Sequence, residues 1–169
     1  MSHHEEKART PVSASQVLRR LADIEADGAQ FYEGMLEGTE SEWVRKLART
    51  LVRAENRHRE RFLAYAEKAE EAEQSPNEDS CEPLPQEVVR LLSAQVFVSR
   101  ARMGKSAKYA GDREMLKLAI NLEEKLALLL AQLQPYVPRS QRPYIKRVVN
   151  EEWRHKAQLA QVMREHFKN

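Results

Sequence analysis

The stretch Leu51-Val-Arg-Ala-Glu55-Asn-Arg-His58-Arg-Glu-Arg-Phe62 decides how this chain is read. It contains Glu-x-x-His, and residues three apart on a helix share one face, so Glu55 and His58 can reach one point. That point lies on an apolar seam. Val44, Ala48, Leu51, Glu55, His58, Phe62 and Tyr65 step by fours and threes, the spacing of inward positions in a helical bundle. An acid and an imidazole on such a seam are costly unless something compensates them. The second half of the chain repeats the pattern: Glu152-Trp-Arg-His155 falls on the seam Ile145, Val148, Glu152, His155, Leu159, Val162.

Working outward, each Glu-x-x-His helix is preceded by a helix with one seam acid. Leu18, Leu21, Glu25, Gly28, Tyr32 and Met35 form the first seam; Leu116, Ala119, Glu123, Leu126, Leu130 and Leu133 form the second. Glu25 precedes Glu55 by 30 residues and Glu123 precedes Glu152 by 29. The expected fold class is therefore all-α, a four-helix bundle of two antiparallel helix pairs with a long crossover between them. Ser13-x-x-Gln16 is a capping box that opens helix A, over about 14–37, with Gly38 as its stop. Thr39-x-x-Glu42 is a second capping box and opens helix B, over about 40–73. Asp112 is the expected N-cap of helix C, over about 112–134, which Pro135 ends. Helix D, over about 140–167, starts near Ser140 and tolerates Pro143 in its first turn.

Between B and C the composition changes to a proline-bearing connector, Gln74 to Pro85. A short apolar helix is expected over about 85–103 (Val88, Leu91, Leu92, Val96, Phe97), part of a crossover long enough to run the length of the bundle. Residues 1–12 read as a polar arm in which His3 and His4 belong to a tail, and residues 13–169 as a single domain.

Composition narrows the function. Apolar residues make up 41% and charged residues 32%, with five glycines, a mixture that favours amphipathic helices over sheet. The net charge of +2 gives no reason to expect nucleic acid or an anionic membrane as partner. The longest apolar run, Leu126 to Ala131, is far too short to span a bilayer, and the first ten residues lack a signal-peptide core. Cys81 is the single cysteine, which excludes an internal disulfide and a four-thiolate iron site. A cytoplasmic protein is expected.

Bringing the four seams together assembles Glu25, Glu55, His58, Glu123, Glu152 and His155. Four carboxylates in a low-dielectric core repel one another and must take up protons, unfold the bundle or bind cations. Two divalent cations cancel the four charges, and the imidazoles are neutral ligands. Oxygen and nitrogen donors without thiolate suit iron, with manganese as the other choice. The competing interpretation is a charge-rich bundle whose acids face water. Glu124 adjoins Glu123, but the seam and the repeat select Glu123; Glu151 adjoins Glu152, but only Glu152 stands three residues before His155. Tyr32 lies seven residues beyond Glu25, either as a hydrogen-bond or electron donor near the metals or as a core aromatic. Trp43 and Trp153 read as packing residues, and His166 as structural or exposed.

The sequence resembles the rubrerythrin-like branch of the ferritin-like superfamily. The resemblance is carried by Ile24-Glu-Ala-Asp-Gly-Ala-Gln-Phe-Tyr32, Ala54-Glu-Asn-Arg-His58, Ala119-Ile-Asn-Leu-Glu-Glu124 and Glu151-Glu-Trp-Arg-His155, in order across roughly residues 14–166. It implies a ferritin-like bundle with a non-haem di-iron site. In that site Glu55 and Glu152 bridge the irons, Glu25 and His58 complete one, and Glu123 and His155 complete the other. It also implies an oxidoreductase of peroxidase or ferroxidase type, acting on peroxide or dioxygen in oxidative stress or iron handling.

Three departures qualify the resemblance. No Cys-x-x-Cys is present, so a rubredoxin-type domain is not expected and the reductant would be a separate electron-donor protein. Ile120 and Leu126 flank Glu123 where a further helix C carboxylate would stand. Leu129-Leu130 stands where the first half has Phe31-Tyr32. An iron-storage protein and a helical interaction module with a vestigial metal site are the competing functions. The apolar crossover helix raises the expectation of a homodimer.

Overall fold

A computed structural model of the chain describes residues 13–74 and 111–167. Four helices make up nearly all of it: α1 Ala14–Gly38, α2 Glu42–Gln74, α3 Asp112–Leu133 and α4 Arg142–His166. Two short 3-10 turns, Gln134–Tyr136 and Arg139–Gln141, join α3 to α4, and no strand occurs among the described residues. None of the described helices is long and apolar enough to cross a membrane. The arm over 1–12, Cys81 and the crossover helix expected over 85–103 lie outside the described residues.

Local chemistry sets the helix ends. Ser13 caps α1 as a complete box: its Oγ accepts from the Gln16 amide at 3.3 Å, and the Gln16 side chain accepts from the Ser13 amide at 3.0 Å. Gly38 stays helical and the extended Thr39 closes α1, its amide donating to the Met35 carbonyl at 3.1 Å. The second capping box expected at Thr39 does not form, because Thr39 is occupied in ending α1. Ser41 begins α2 instead, its carbonyl accepting from Arg45 at 2.9 Å and its Oγ from the Val44 amide at 3.5 Å. Asp112 is likewise one residue inside its helix. Gly111 is the N-cap of α3, and Asp112 and Glu114 lie in the first turn, where their charge suits the positive end of the helix dipole.

After Pro135 the chain needs two 3-10 turns before α4, so that helix starts at Arg142 rather than near Ser140. The Arg142 guanidinium clips the connection by donating to the carbonyls of Val137 at 3.2 Å and Pro135 at 2.7 Å.

Contacts at the helix ends fix the topology. Ser15 donates to Glu73 and Arg19 pairs with Glu70, joining the start of α1 to the end of α2. One apolar cluster holds Val17, Leu18 and Leu21 of α1, Phe62 and Ala66 of α2, Leu130 and Leu133 of α3, and Ile145 and Val148 of α4. The other holds Phe31 and Met35, Val44 and Leu51, Met115 and Leu116, and Leu159. The helices of each hairpin therefore run antiparallel, whereas α2 and α3 run parallel. The chain leaves α2 at one end of the bundle and enters α3 at the other. Each fully buried Leu, Ile or Phe in these clusters contributes roughly 1.5–3 kcal/mol. Between the clusters lies one layer that holds buried acids and histidines.

Candidate metal centre

That layer contains all six residues singled out by spacing. Glu25 comes from α1, Glu55 and His58 from α2, Glu123 from α3, and Glu152 and His155 from α4. The four carboxylates are 0% exposed, His58 3% and His155 8%. They fall into two groups with donor atoms within 4.8 Å of one another: Glu25, His58 and Glu152, and Glu55, Glu123, Glu152 and His155. Glu152 belongs to both groups. Its Oε1 is 3.0 Å from His58 Nδ1 and its Oε2 is 3.0 Å from His155 Nδ1. His58 Nδ1 also stands 3.8 Å from Glu25 Oε2.

The electrostatics of this layer are those of a site waiting for positive charge. Burial pushes the Glu55 carboxyl well above the ordinary carboxylate range, and the charges of Glu25, Glu123 and Glu152 push it further. Burial works against a charged His58, yet Glu152 and Glu25 outweigh it and raise the imidazole to about 11. Burial also opposes ionisation of Glu152, but contacts with His155, His58 and Glu123 win and hold its carboxyl far below the usual range. The layer thus opposes the charged form of Glu55 and favours the charged form of His58. Both oxygens of Glu25 and of Glu55 are buried without a hydrogen-bond partner. Oxygens in that condition cost on the order of 1–3 kcal/mol each unless a ligand takes them up. The donor set fits two hard or borderline divalent ions, since it consists of carboxylate oxygens and imidazole Nδ1 atoms with no thiolate.

Two further groups join the layer. The Tyr32 hydroxyl donates to Glu123 Oε1, while its ring packs edge-on against Phe31 in the second apolar cluster. Glu151, set aside on spacing, accepts from His58 Nε2 at 2.8 Å and is one-third exposed. It turns the inner nitrogen of His58 toward Glu25 and Glu152. No sequence signal marks this contact, because it joins α4 to α2 and depends on how the two helices are rotated. Tyr144 packs edge-on against Phe62 and Tyr65, and burial together with the charges of Glu25 and Glu151 pushes its phenol above the ordinary range. The tryptophans are less buried than expected: Trp43 is 56% exposed and stacks on His166, and Trp153 is 38% exposed beneath Lys156.

No protein-family model matches the chain, and no curated protein does. Among solved structures, the chain is similar to a crystal structure from Thermotoga maritima described as a candidate ferritin-like diiron-carboxylate protein. The TM-score is 0.59 at 20% identity, over 93% of this chain and 98% of that one. The chain has the ferritin-like four-helix fold. At the centre of that fold it carries a buried carboxylate–histidine cluster of metal-ligating composition.

Proposed function

We propose that the protein binds two iron ions in the bundle core and reacts with peroxide or dioxygen as a di-iron oxidoreductase. The observation that carries this is the pair of overlapping donor groups, each with an imidazole, which share Glu152 and hold four fully buried carboxylates. Iron held there would supply the electrons that reduce the oxidant. Glu152, which belongs to both groups, would serve both ions, and Glu55 would join the second group. Glu25 and His58 would serve one ion, and Glu123 and His155 the other. Tyr32 orients Glu123 by its hydrogen bond, and Glu151 orients His58. The apolar clusters at either end keep water from the layer. A separate protein would return the electrons.

The test is iron content and visible absorption after anaerobic ferrous loading and oxidation, beside the Glu55→Ala, Glu152→Ala double variant. About two irons per chain, with ferric absorption lost in the variant, is the expected result. No bound iron in the parent, with the variant equally stable, overturns the proposal. Rapid consumption of peroxide by the reduced protein then supports the oxidoreductase. Uptake far beyond two irons per chain would instead favour storage.

A further inference from the structure

The two halves of the chain repeat one another at the site, so each residue has a counterpart. Glu151-Glu152-Trp-Arg-His155 on α4 aligns with Ala54-Glu55-Asn-Arg-His58 on α2. In the first, Glu151 reaches across to the histidine of the other half and accepts from His58 Nε2 at 2.8 Å. In the second the matching position is Ala54, buried at 1% exposure, which offers His155 no acceptor.

The helices preceding them differ as well. Tyr32, seven residues after Glu25, reaches across and donates to Glu123; its counterpart seven residues after Glu123 is Leu130, a core residue with nothing to offer Glu25. The two asymmetries act in opposite senses. A carboxylate accepting from the outer imidazole nitrogen increases the electron density that the inner nitrogen can donate to a metal. A phenol donating to a carboxylate oxygen draws on that oxygen's density. Glu25, by contrast, accepts from no phenol among the described residues, and its Oε2 stands 3.8 Å from His58 Nδ1.

We infer that the two metal positions of the proposed centre are unequal, the one served by Glu25 and His58 filling first and Glu151 being the positioning residue that makes it so. This inference rests on the two-metal reading and goes beyond it by assigning an order.

Anaerobic titration of the metal-free, full-length protein with Mn2+, followed by calorimetry and electron paramagnetic resonance, tests it without turnover. Two steps are expected, the first at least tenfold tighter, with the spectrum of an isolated ion giving way to that of a coupled pair. His58→Ala should remove the tighter step and His155→Ala the weaker. Glu151→Ala should weaken the tighter step by about 10–100-fold and leave the weaker within about twofold, the usual scale for losing such a partner. Glu151→Gln keeps an acceptor without the charge and should fall between. It also serves as the variant of record if the alanine protein does not give the parent's circular dichroism.

Two indistinguishable steps in the parent, loss of the tighter step in His155→Ala, or equal weakening of both steps by the Glu151 variants would each overturn the order while leaving the two-metal reading intact. Failure of the parent to take up either Mn2+ or Fe2+ would overturn that reading itself.

Discussion

The two hairpins bring the same side chains to the core, a lone acid and a Glu-x-x-His from each, yet they hold their charge differently. On α2, Glu55 is the carboxylate that burial and its neighbours force toward the neutral form. On α4, Glu152 is the carboxylate that two imidazoles keep ionised. The difference lies in what surrounds the repeat. Glu152 sits between His58 and His155, with a nitrogen of each 3.0 Å away, whereas Glu55 faces mainly other acids. A repeated motif thus fixes which residues reach the core and leaves their protonation to the neighbours.

Metal removal should produce the largest change. Each ion that binds only the folded protein stabilises it by about 4 kcal/mol at a thousandfold excess over its dissociation constant, so the two proposed ions together contribute about 8 kcal/mol. Calorimetric melts with Fe2+ under argon and with chelator should therefore differ by many degrees. Coincident melts would break the link between this layer and metal.

Next in size is the contrast between the two carboxylates in the metal-free state. Glu152→Gln leaves two imidazoles without their shared acid and should cost roughly 3–5 kcal/mol, as when one partner of a buried pair is removed. Glu55→Gln puts a neutral amide of similar shape where burial and neighbouring acids already oppose the charged form, and should stay within about 1 kcal/mol of the parent. Urea unfolding in chelator measures both, and equal losses would erase the comparison.

The pH dependence sharpens it further. Because the folded pKa of His58 is raised to about 11, its contribution is complete below the ordinary histidine value of 6.5 and is lost as pH rises toward 11. The raised Glu55 carboxyl acts in the same direction, since it disfavours the fold wherever it must ionise. Metal-free protein should therefore melt progressively lower from pH 7 to pH 10, each ~1 kcal/mol lost lowering Tm by roughly 2–4 °C for a chain of this size. His58→Gln should flatten that slope.

A smaller effect is expected from Tyr32→Phe, which takes the phenol donor from Glu123 and should cost about 1–3 kcal/mol by the same urea measurement. The smallest belongs to the surface ties of the hairpins. Arg19–Glu70 joins α1 to α2, and Lys156–Glu124 joins α3 to α4 at 2.9 Å. Arg19→Ala and Lys156→Ala should each fall within about 1 kcal/mol of the parent.

Much of this could be read from the chain because helical spacing is a strict rule. Glu55 with His58, and Glu152 with His155, follow from a separation of three, and the seam residues around Glu25 and Glu123 follow from steps of three and four. The six side chains meet in one layer for that reason. Helix starts were less legible where several capping residues crowd together. Thr39 and Ser41 both suit an N-cap, and the three-residue link lets only Ser41 serve once Thr39 has closed α1. Glu151 was invisible because its partner is on another helix, and no periodicity within α4 says which way a second face turns toward α2.

The layout of the bundle also bears on how the protein is made. Each donor group takes side chains from both hairpins: Glu25 and His58 need Glu152, and Glu123 and His155 need Glu55. A growing chain presents Glu25, Glu55 and His58 long before Glu123 and Glu152 have been synthesised. Neither hairpin alone holds a complete nest of ligands. The cluster comes into being only when the second hairpin docks on the first, so any metal the proposed centre takes up would be captured among the last events in the protein's maturation.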